Sequence, residues 1–369
     1  MNIAIESHLL NHSRRSGLLT YTEGLVNGLY QNDTANQYEL IFYSLRRSSE
    51  QMPGPGNRNF KKIVVKVPDQ EFSGRQWLVD HLALPASFKK NKIRIFHRLA
   101  GYTLPEAKDV FKVLTIHDLR TLTIQDAVWS QNIERYRRTV NKADRCVVVS
   151  ECTKRDVVEH LKIPENKVRV TYLGADRRFQ PAQAKQKEIV KAKYRLNEPF
   201  LLSIGSVPRK NIEGILKGFA GSKVINSFIL VLSCNLDVEK YKALAAKLGV
   251  AHRVKILDKL SDDDVVALYS ACHSFVFPSL YEGFGLPILE AMQCGAAVIT
   301  SNGSSCPEVA GDAAILVDPK NAGEISDAIN QMCSDERLRQ NLIQKGFERA
   351  KLFSWNRFAQ EMIKVYEKA

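Results

Sequence analysis

The stretch "LLSIGSVPRKNIEGILKGF" (residues 201–219) decides how the rest of the chain is read. "LLSI" is a short apolar run ending at Gly205 and Ser206, and from Asn211 onward apolar residues recur at helical spacing. That is a buried strand, a tight turn and an amphipathic helix in direct succession. A strand with no polar alternation belongs in a sheet covered on both faces. Strand–helix succession is how parallel sheets of that kind are built.

The same pattern extends in both directions. Strand-like runs "NIAIES", "YELIFYSL", "KIVVKV", "IRIFH", "KVLTIHD", "RCVVVS" and "KVRVTYL" fill the first half, and "PFLLSIGS", "SFILVLS", "RVKILD", "SFVFPS", "AAVITSN" and "AAILVDP" form a second series. Helical patterns such as "TKRDVVEHL" and "DDDVVALYSACH" separate them. The series break in the charged stretch 176–199, bounded by Pro181 and Pro199, which reads as a linker. The fold class is therefore α/β with two doubly wound, Rossmann-like domains, 1–180 and 181–353. The last segment, 354–369, is a helix returning to the first domain. Doubly wound sheets bind ligands beyond the carboxyl ends of their strands, so the expected site is a cleft between the two domains.

Composition narrows the class. A chain of 369 residues with 44% hydrophobic and 25% charged residues is long enough for two globular cores. No apolar run reaches the roughly 18 residues of a membrane span, and "MNIAIESHLL" is no signal peptide, so a cytoplasmic protein is expected. Seven cysteines without a CxxC pair read as reduced core thiols, with no zinc site. The net charge of +13 is uneven: residues 1–180 carry 29 Lys and Arg against 19 Asp and Glu, the remainder 24 against 21. A basic first half suits a phosphate-bearing substrate or an anionic membrane. No nucleic-acid motif accompanies it, and scattered solvated charge is the equal alternative.

Four segments carry candidate chemistry. In the opening stretch, Gly205 and Ser206 precede a helix start whose free amides attract an anion. Arg209 and Lys210 beside it would oppose the helix dipole as ordinary surface charges, which favours an anion site. In "SLYEGFGLPILEAM" (279–292), Gly283, Phe284 and Gly285 form a turn into a helix starting at Leu286, with Pro287 in its first turn. Glu290 then lies in an apolar run, where a carboxylate needs partners such as sugar hydroxyls. As alternatives, Glu290 marks an exposed helix face and Glu282 a pre-helix charge. His117 ends the apolar strand "VLTIHDL", placed for hydrogen bonding or acid/base work, with a satisfied structural histidine equally open. The polar loop of "SRRSGLLTYTEGL" (13–25), with Gly17, follows the first strand and would line a ligand crevice; it is not GxGxxG. "SDDD" (261–264) contains a DxD pattern, yet Ser261 before three acids is simpler as a helix N-cap than as a metal site.

Together these segments resemble the family 4 retaining glycosyltransferases of the GT-B fold. The resemblance spans essentially the whole chain. It is carried by the E-x7-E pattern of Glu282 and Glu290, by "GSVPRKN", and by "TIHDL", "VVVSECTKRDV", "VRVTYLGAD" and "SSCPEVAGDAAILVDP" in order. It implies a nucleotide-sugar donor whose diphosphate is bound by Arg209, Lys210, Ser206 and the backbone amides of Phe284, Gly285 and Leu286, with Gly283 also in the donor site. Glu290 would hold the ribose, Glu282 would lie near the donor sugar, His117 near sugar or acceptor, and the loop at Gly17 near the phosphates or acceptor. No metal and no separate cofactor are implied. "RRSGLL" in place of the usual paired glycines, and Val207 at an often acidic position, depart from the pattern. The compact form resembles bacterial mannosyltransferases of surface-polysaccharide and lipopolysaccharide synthesis. That implies GDP-mannose, a saccharide or lipid-linked acceptor, and peripheral contact with the inner face of the plasma membrane. UDP-sugar transferases of the same family, and a binder without transfer activity, are the alternatives.

Overall fold

In a computed structural model, the chain is described for all residues except 12–15, 57–58, 69–73, 102, 120–126 and 259. It divides into two units, Met1–Gly174 with Ser354–Ala369, and Ala175–Phe353.

The first unit holds a parallel sheet of seven strands: β1 (Asn2–Glu6), β2 (Gln37–Tyr43), β3 (Phe60–Val65), β4 (Ile95–Arg98), β5 (Phe111–Ile116), β6 (Arg145–Val148) and β7 (Val168–Val170). Their spatial order is 3-2-1-4-5-6-7. The second unit repeats the plan with β8 (Phe200–Ile204), β9 (Ile229–Ser233), β10 (Val254–Leu257), β11 (Ser274–Phe277), β12 (Ala297–Ser301) and β13 (Ala314–Val317), in the order 10-9-8-11-12-13. Every run read as a strand forms one. The periodicity succeeds because strands covered on both faces, such as β4 and β11, are buried along their whole length.

In each sheet the order reverses beside the first strand, between β1 and β4 and between β8 and β11. At such a switch point the loops leaving adjacent strands diverge to opposite faces and open a crevice at the carboxyl ends. Both switch points therefore mark where ligands are to be sought.

The stretch read as a linker departs from expectation, because it contains the helix Ala184–Lys193. Only Val190 on that helix is buried, so its apolar pattern is faint; Ala, Lys, Glu and Gln supply propensity instead. Tertiary contact anchors it, with Lys193 and the Tyr194 hydroxyl bonded to Asp264 at 2.6 and 3.0 Å. The last helix, Trp355–Glu367, is capped by Ser354 and packs on the helix Gly17–Asn32 within the first unit. The buried side chains of His97 and Tyr366 share a hydrogen bond of 2.7 Å there. Among the described residues no helix is long and apolar enough to cross a membrane. No disulfide joins any of the seven cysteines, six of which are buried.

Candidate functional site

The second unit's switch point gathers most of the residues singled out from the sequence. β8 ends at Ile204, and Gly205 follows with φ +148. A side chain there would place its Cβ 2.5 Å from Lys210 Cγ, so only glycine lets the chain turn this closely over the lysine. Ser206 Oγ accepts from the Asn235 amide at 3.0 Å, tying the turn to the loop after β9. Pro208–Lys210 then form a single 3-10 turn.

That turn ends at Asn211, which adopts the left-handed conformation (φ +60) and caps the helix Ile212–Gly221 by accepting from the Gly214 amide. Its Nδ2 donates to the carbonyls of Pro278 (3.0 Å) and Pro319 (2.6 Å). One side chain thus joins the segments that leave β8, β11 and β13. Asn211 was not singled out from the sequence as a site residue; its place after two cations and before a helix was the available signal.

Arg209 and Lys210 converge on one carboxylate. Arg209 Nη1 donates to Glu282 Oε2 at 2.5 Å and to the Tyr281 carbonyl at 3.0 Å, and Lys210 Nζ donates to Glu282 Oε1 at 2.6 Å. Ser279 Oγ adds a third donor to Glu282 at 2.6 Å. Lys210 also lies over the Phe277 ring, 4.5 Å from its centroid. Burial would raise the Glu282 carboxyl, but Lys210 and Arg209 outweigh it and hold the group below its ordinary value. Burial, with Arg209 adding to it against the pull of Glu282, holds the Lys210 ammonium below its ordinary value. Glu282 is therefore the counter-ion of the two cations. Ser304 and Ser305 on the loop after β12 fix its backbone: the Glu282 amide donates to Ser304 Oγ, and Ser305 Oγ donates to the carbonyls of Glu282 and Phe284.

Gly285, with φ +105, is the N-cap position of the helix Leu286–Gln293 and leaves that helix start without a side-chain cap. Uncapped amides of this kind attract anions. Phe284 is buried edge-on against Phe353. Glu290 is partly buried on the same helix, 3.5 Å from the Tyr269 hydroxyl. Burial pushes its carboxyl up to about 7 against the opposing pull of Arg178 and Lys210.

The remaining two candidates lie in the first unit. His117 Nε2 donates to the Leu99 carbonyl at 2.8 Å, which fixes Nδ1 as the acceptor of the neutral ring. Burial holds its pKa below the ordinary value despite that hydrogen bond and Asp118. Tyr21 packs edge-on against it at 4.6 Å. Gly17 begins the helix Gly17–Asn32 behind the Ser16 N-cap, with open space where a side chain would be. Residues 13–15 of the loop read as crevice-lining lie outside the described residues. Ser261 and Asp264 form a capping box, as the DxD-like run was read, while Asp262 pairs with Arg178.

Comparison with known proteins bears on both units. A family model described as Glycosyltransferase Family 4 matches residues 16–179, and one described as Glycosyl transferases group 1 matches residues 184–349. The chain is 30% identical over 265 residues to the O-antigen chain mannosyltransferase B of Escherichia coli, covering 69% of this chain and 70% of that protein. It is 33% identical over 223 residues to the serotype-specific mannosyltransferase WbdA of E. coli, covering 58% of this chain but 27% of that longer protein. Its fold matches that of the Anabaena protein HepE in complex with UDP and glucose, with a TM-score of 0.77 over all of both chains at 17% identity.

Proposed function

The chain belongs to the family 4 glycosyltransferases of the GT-B fold, and on that premise we propose that it transfers mannose from GDP-mannose to a saccharide or lipid-linked saccharide in surface-glycan synthesis, with retention of anomeric configuration. The observation that carries this reading is the convergence of Arg209 and Lys210 at the carboxyl end of β8, beside the uncapped helix start at Leu286. The mannosyltransferase relatives support mannose as the sugar.

The chemistry follows from charge. Cleaving the bond from anomeric carbon to diphosphate leaves negative charge on phosphate and positive character on the sugar. Arg209 and Lys210, with Ser206 and the amides of residues 284–286, meet the first charge with donors already in place. Glu282 shares those cations with the incoming diphosphate, and Glu290 takes the ribose hydroxyls. The acceptor hydroxyl attacks from the side the diphosphate leaves, and neutral His117 accepts a hydrogen bond through Nδ1 from sugar or acceptor. No metal or separate cofactor enters this scheme. The basic first half supports peripheral contact with an anionic inner-membrane surface.

The test is a thermal-shift screen of the chain against GDP, UDP, ADP and their sugar conjugates. A ligand at 100 times its Kd adds about 2.7 kcal/mol of stability. Stabilisation by GDP and GDP-mannose, lost in Arg209→Ala, is the expected result. Stabilisation by UDP instead would overturn the donor, and none by any nucleotide would overturn the diphosphate site.

A further inference from the structure

One hydrogen bond ties the His117 ring to the backbone, from Nε2 to the Leu99 carbonyl at 2.8 Å. Nε2 lies close to the line that continues the Cβ–Cγ bond, so this bond restrains rotation about χ2 only weakly, and χ2 of histidine is intrinsically broad. Any such rotation carries Nδ1, the nitrogen left to accept, away from a substrate. The plane of the ring is restricted by Tyr21, whose ring meets the imidazole at 90° with the centroids 4.6 Å apart. That is the edge-to-face geometry aromatic pairs prefer.

Tyr21 is itself fixed from two sides. Its hydroxyl shares a hydrogen bond of 2.9 Å with Thr115 Oγ1, which shares another of 2.7 Å with His97 Nε2, and His97 Nδ1 meets the Tyr366 hydroxyl at 2.7 Å. None of these four residues is more than 1% exposed. Thr115 and His97 stand on the paired strands β5 and β4. A neutral imidazole donates at one nitrogen and accepts at the other, so His97 can join two hydroxyls and leave neither of its nitrogens unserved. On the other side, Phe358 packs edge-on against the Tyr21 ring at 5.3 Å. Phe358 and Tyr366 both belong to the last helix, Trp355–Glu367, which seats closely on the helix Gly17–Asn32: a Cβ on Gly24 would fall 2.2 Å from the Trp355 ring. A buried polar network whose members are all satisfied rigidifies its surroundings and selects one arrangement. Here the side chain at its end is the one in contact with His117.

We propose that Tyr21 is a positioning residue for His117: its ring holds the imidazole plane that aims Nδ1, and the hydrogen-bonded chain through Thr115 and His97 to Tyr366 holds Tyr21. Its bearing on turnover rests on the transferase reading, in which His117 meets the sugar or the acceptor. The placement of the ring does not depend on that reading.

The test reads the ring directly, by 15N NMR of the full chain labelled at histidine, with the His117 signal identified by its loss in His117→Ala. The wild type is expected to show one tautomer, protonated at Nε2. Tyr21→Leu removes both ring and hydroxyl and should populate the second tautomer. Tyr21→Phe keeps the ring but cuts its anchor; it should show the same change to a smaller extent, and it serves where the leucine variant fails to fold. The second reading is GDP release from GDP-mannose with methyl α-mannoside as acceptor. Tyr21→Leu should lower kcat about tenfold and Tyr21→Phe about threefold, while Tyr21→Leu added to His117→Ala should cost no more than about twofold further. GDP affinity should stay as in the wild type, because Arg209 and Lys210 belong to the second unit. A single Nε2 tautomer retained in the folded variants would overturn the proposal. So would losses that multiply in the double variant, because Tyr21 would then act by a route other than His117. Normal turnover by His117→Ala would count against the transferase role of His117, and the tautomer measurement would still decide whether Tyr21 sets its ring.

Discussion

Replacing Glu282 with glutamine separates two roles for this residue. As the counter-ion of Arg209 and Lys210, it is 6% exposed and in contact with both, so Glu282→Gln leaves two partly buried cations beside each other. An ion pair at about 4 Å is worth roughly 4 kcal/mol at an effective dielectric of 20, and breaking a buried pair costs about 3–5 kcal/mol net. Glutamine retains an oxygen for Ser279, and Arg209 retains the Tyr281 carbonyl, so the lower figure applies, about 3 kcal/mol. For a domain of this size that lowers Tm by roughly 6–12 °C.

The same change should tighten GDP. In the ligand-free protein Glu282 already engages both cations, so an incoming diphosphate has to share them; without that carboxylate the two are fully available. A gain of about 1.4 kcal/mol is a tenfold lower Kd, measurable by calorimetry, and saturating GDP should recover part of the lost Tm. An unchanged Tm would refute the counter-ion role. So would unaltered GDP affinity with weakened GDP-mannose, which would return Glu282 to a contact with the donor sugar alone.

With the Glu290 carboxyl raised to about 7, donor affinity should increase as pH rises from 6 to 8, because the ionised form accepts from two ribose hydroxyls; identical calorimetric pH profiles for wild type and Glu290→Gln would contradict this. His97 is fully buried and its pKa is pushed down to about 3 by burial and by His117, so it stays neutral while the unfolded chain takes up a proton below pH 6.5. Stability is therefore lost as pH falls, about 2 kcal/mol by pH 5, and His97→Gln should flatten that slope. All three tryptophans (77, 129 and 355) belong to the first unit, so their fluorescence follows its melting at pH 7 and pH 5. Gly205→Ala forces Lys210 aside in a backbone conformation that side chains rarely adopt, and should reduce transfer on the order of a hundredfold and lower stability by about 1–3 kcal/mol; near-normal turnover would show that the lysine's position is not critical. Asn211→Ala gives up a left-handed cap and two carbonyl partners, an expected loss of about 2–4 kcal/mol in thermal melting.

The parts of this protein that were legible in the sequence are those set by periodicity and local chemistry. Every buried strand announced itself as an apolar run, because covering both faces of a sheet removes polar alternation. Gly205 and Gly285 announced turns, and Ser261 before three acids announced a cap. The helix Ala184–Lys193 was not legible, since it buries a single residue and is tied down by Asp264, which lies far along the chain. The same limit applies inside the site. Residues 205–211 and 282–290 could each be nominated from neighbouring residues, but that Glu282 closes an ion pair with Arg209 and Lys210 depends on β8 and β11 being adjacent in the sheet.

That adjacency changes what the two glutamates mean. Sequence spacing presents Glu282 and Glu290 as a matched pair around a glycine turn, yet their surroundings oppose each other. Glu282 sits among three donors that favour its charge, whereas Glu290 meets burial that raises its pKa and a tyrosine hydroxyl only at the limit of hydrogen bonding. A carboxylate already satisfied by its own protein is placed to organise cations. One left short of partners is placed to receive hydroxyls. The ligand-free charge balance therefore separates their roles: a diphosphate competes with Glu282 for positive charge, while a ribose completes Glu290. Donor binding should accordingly weaken when Glu290 is removed and strengthen for the bare nucleotide when Glu282 is neutralised, opposite signs from two residues of one motif.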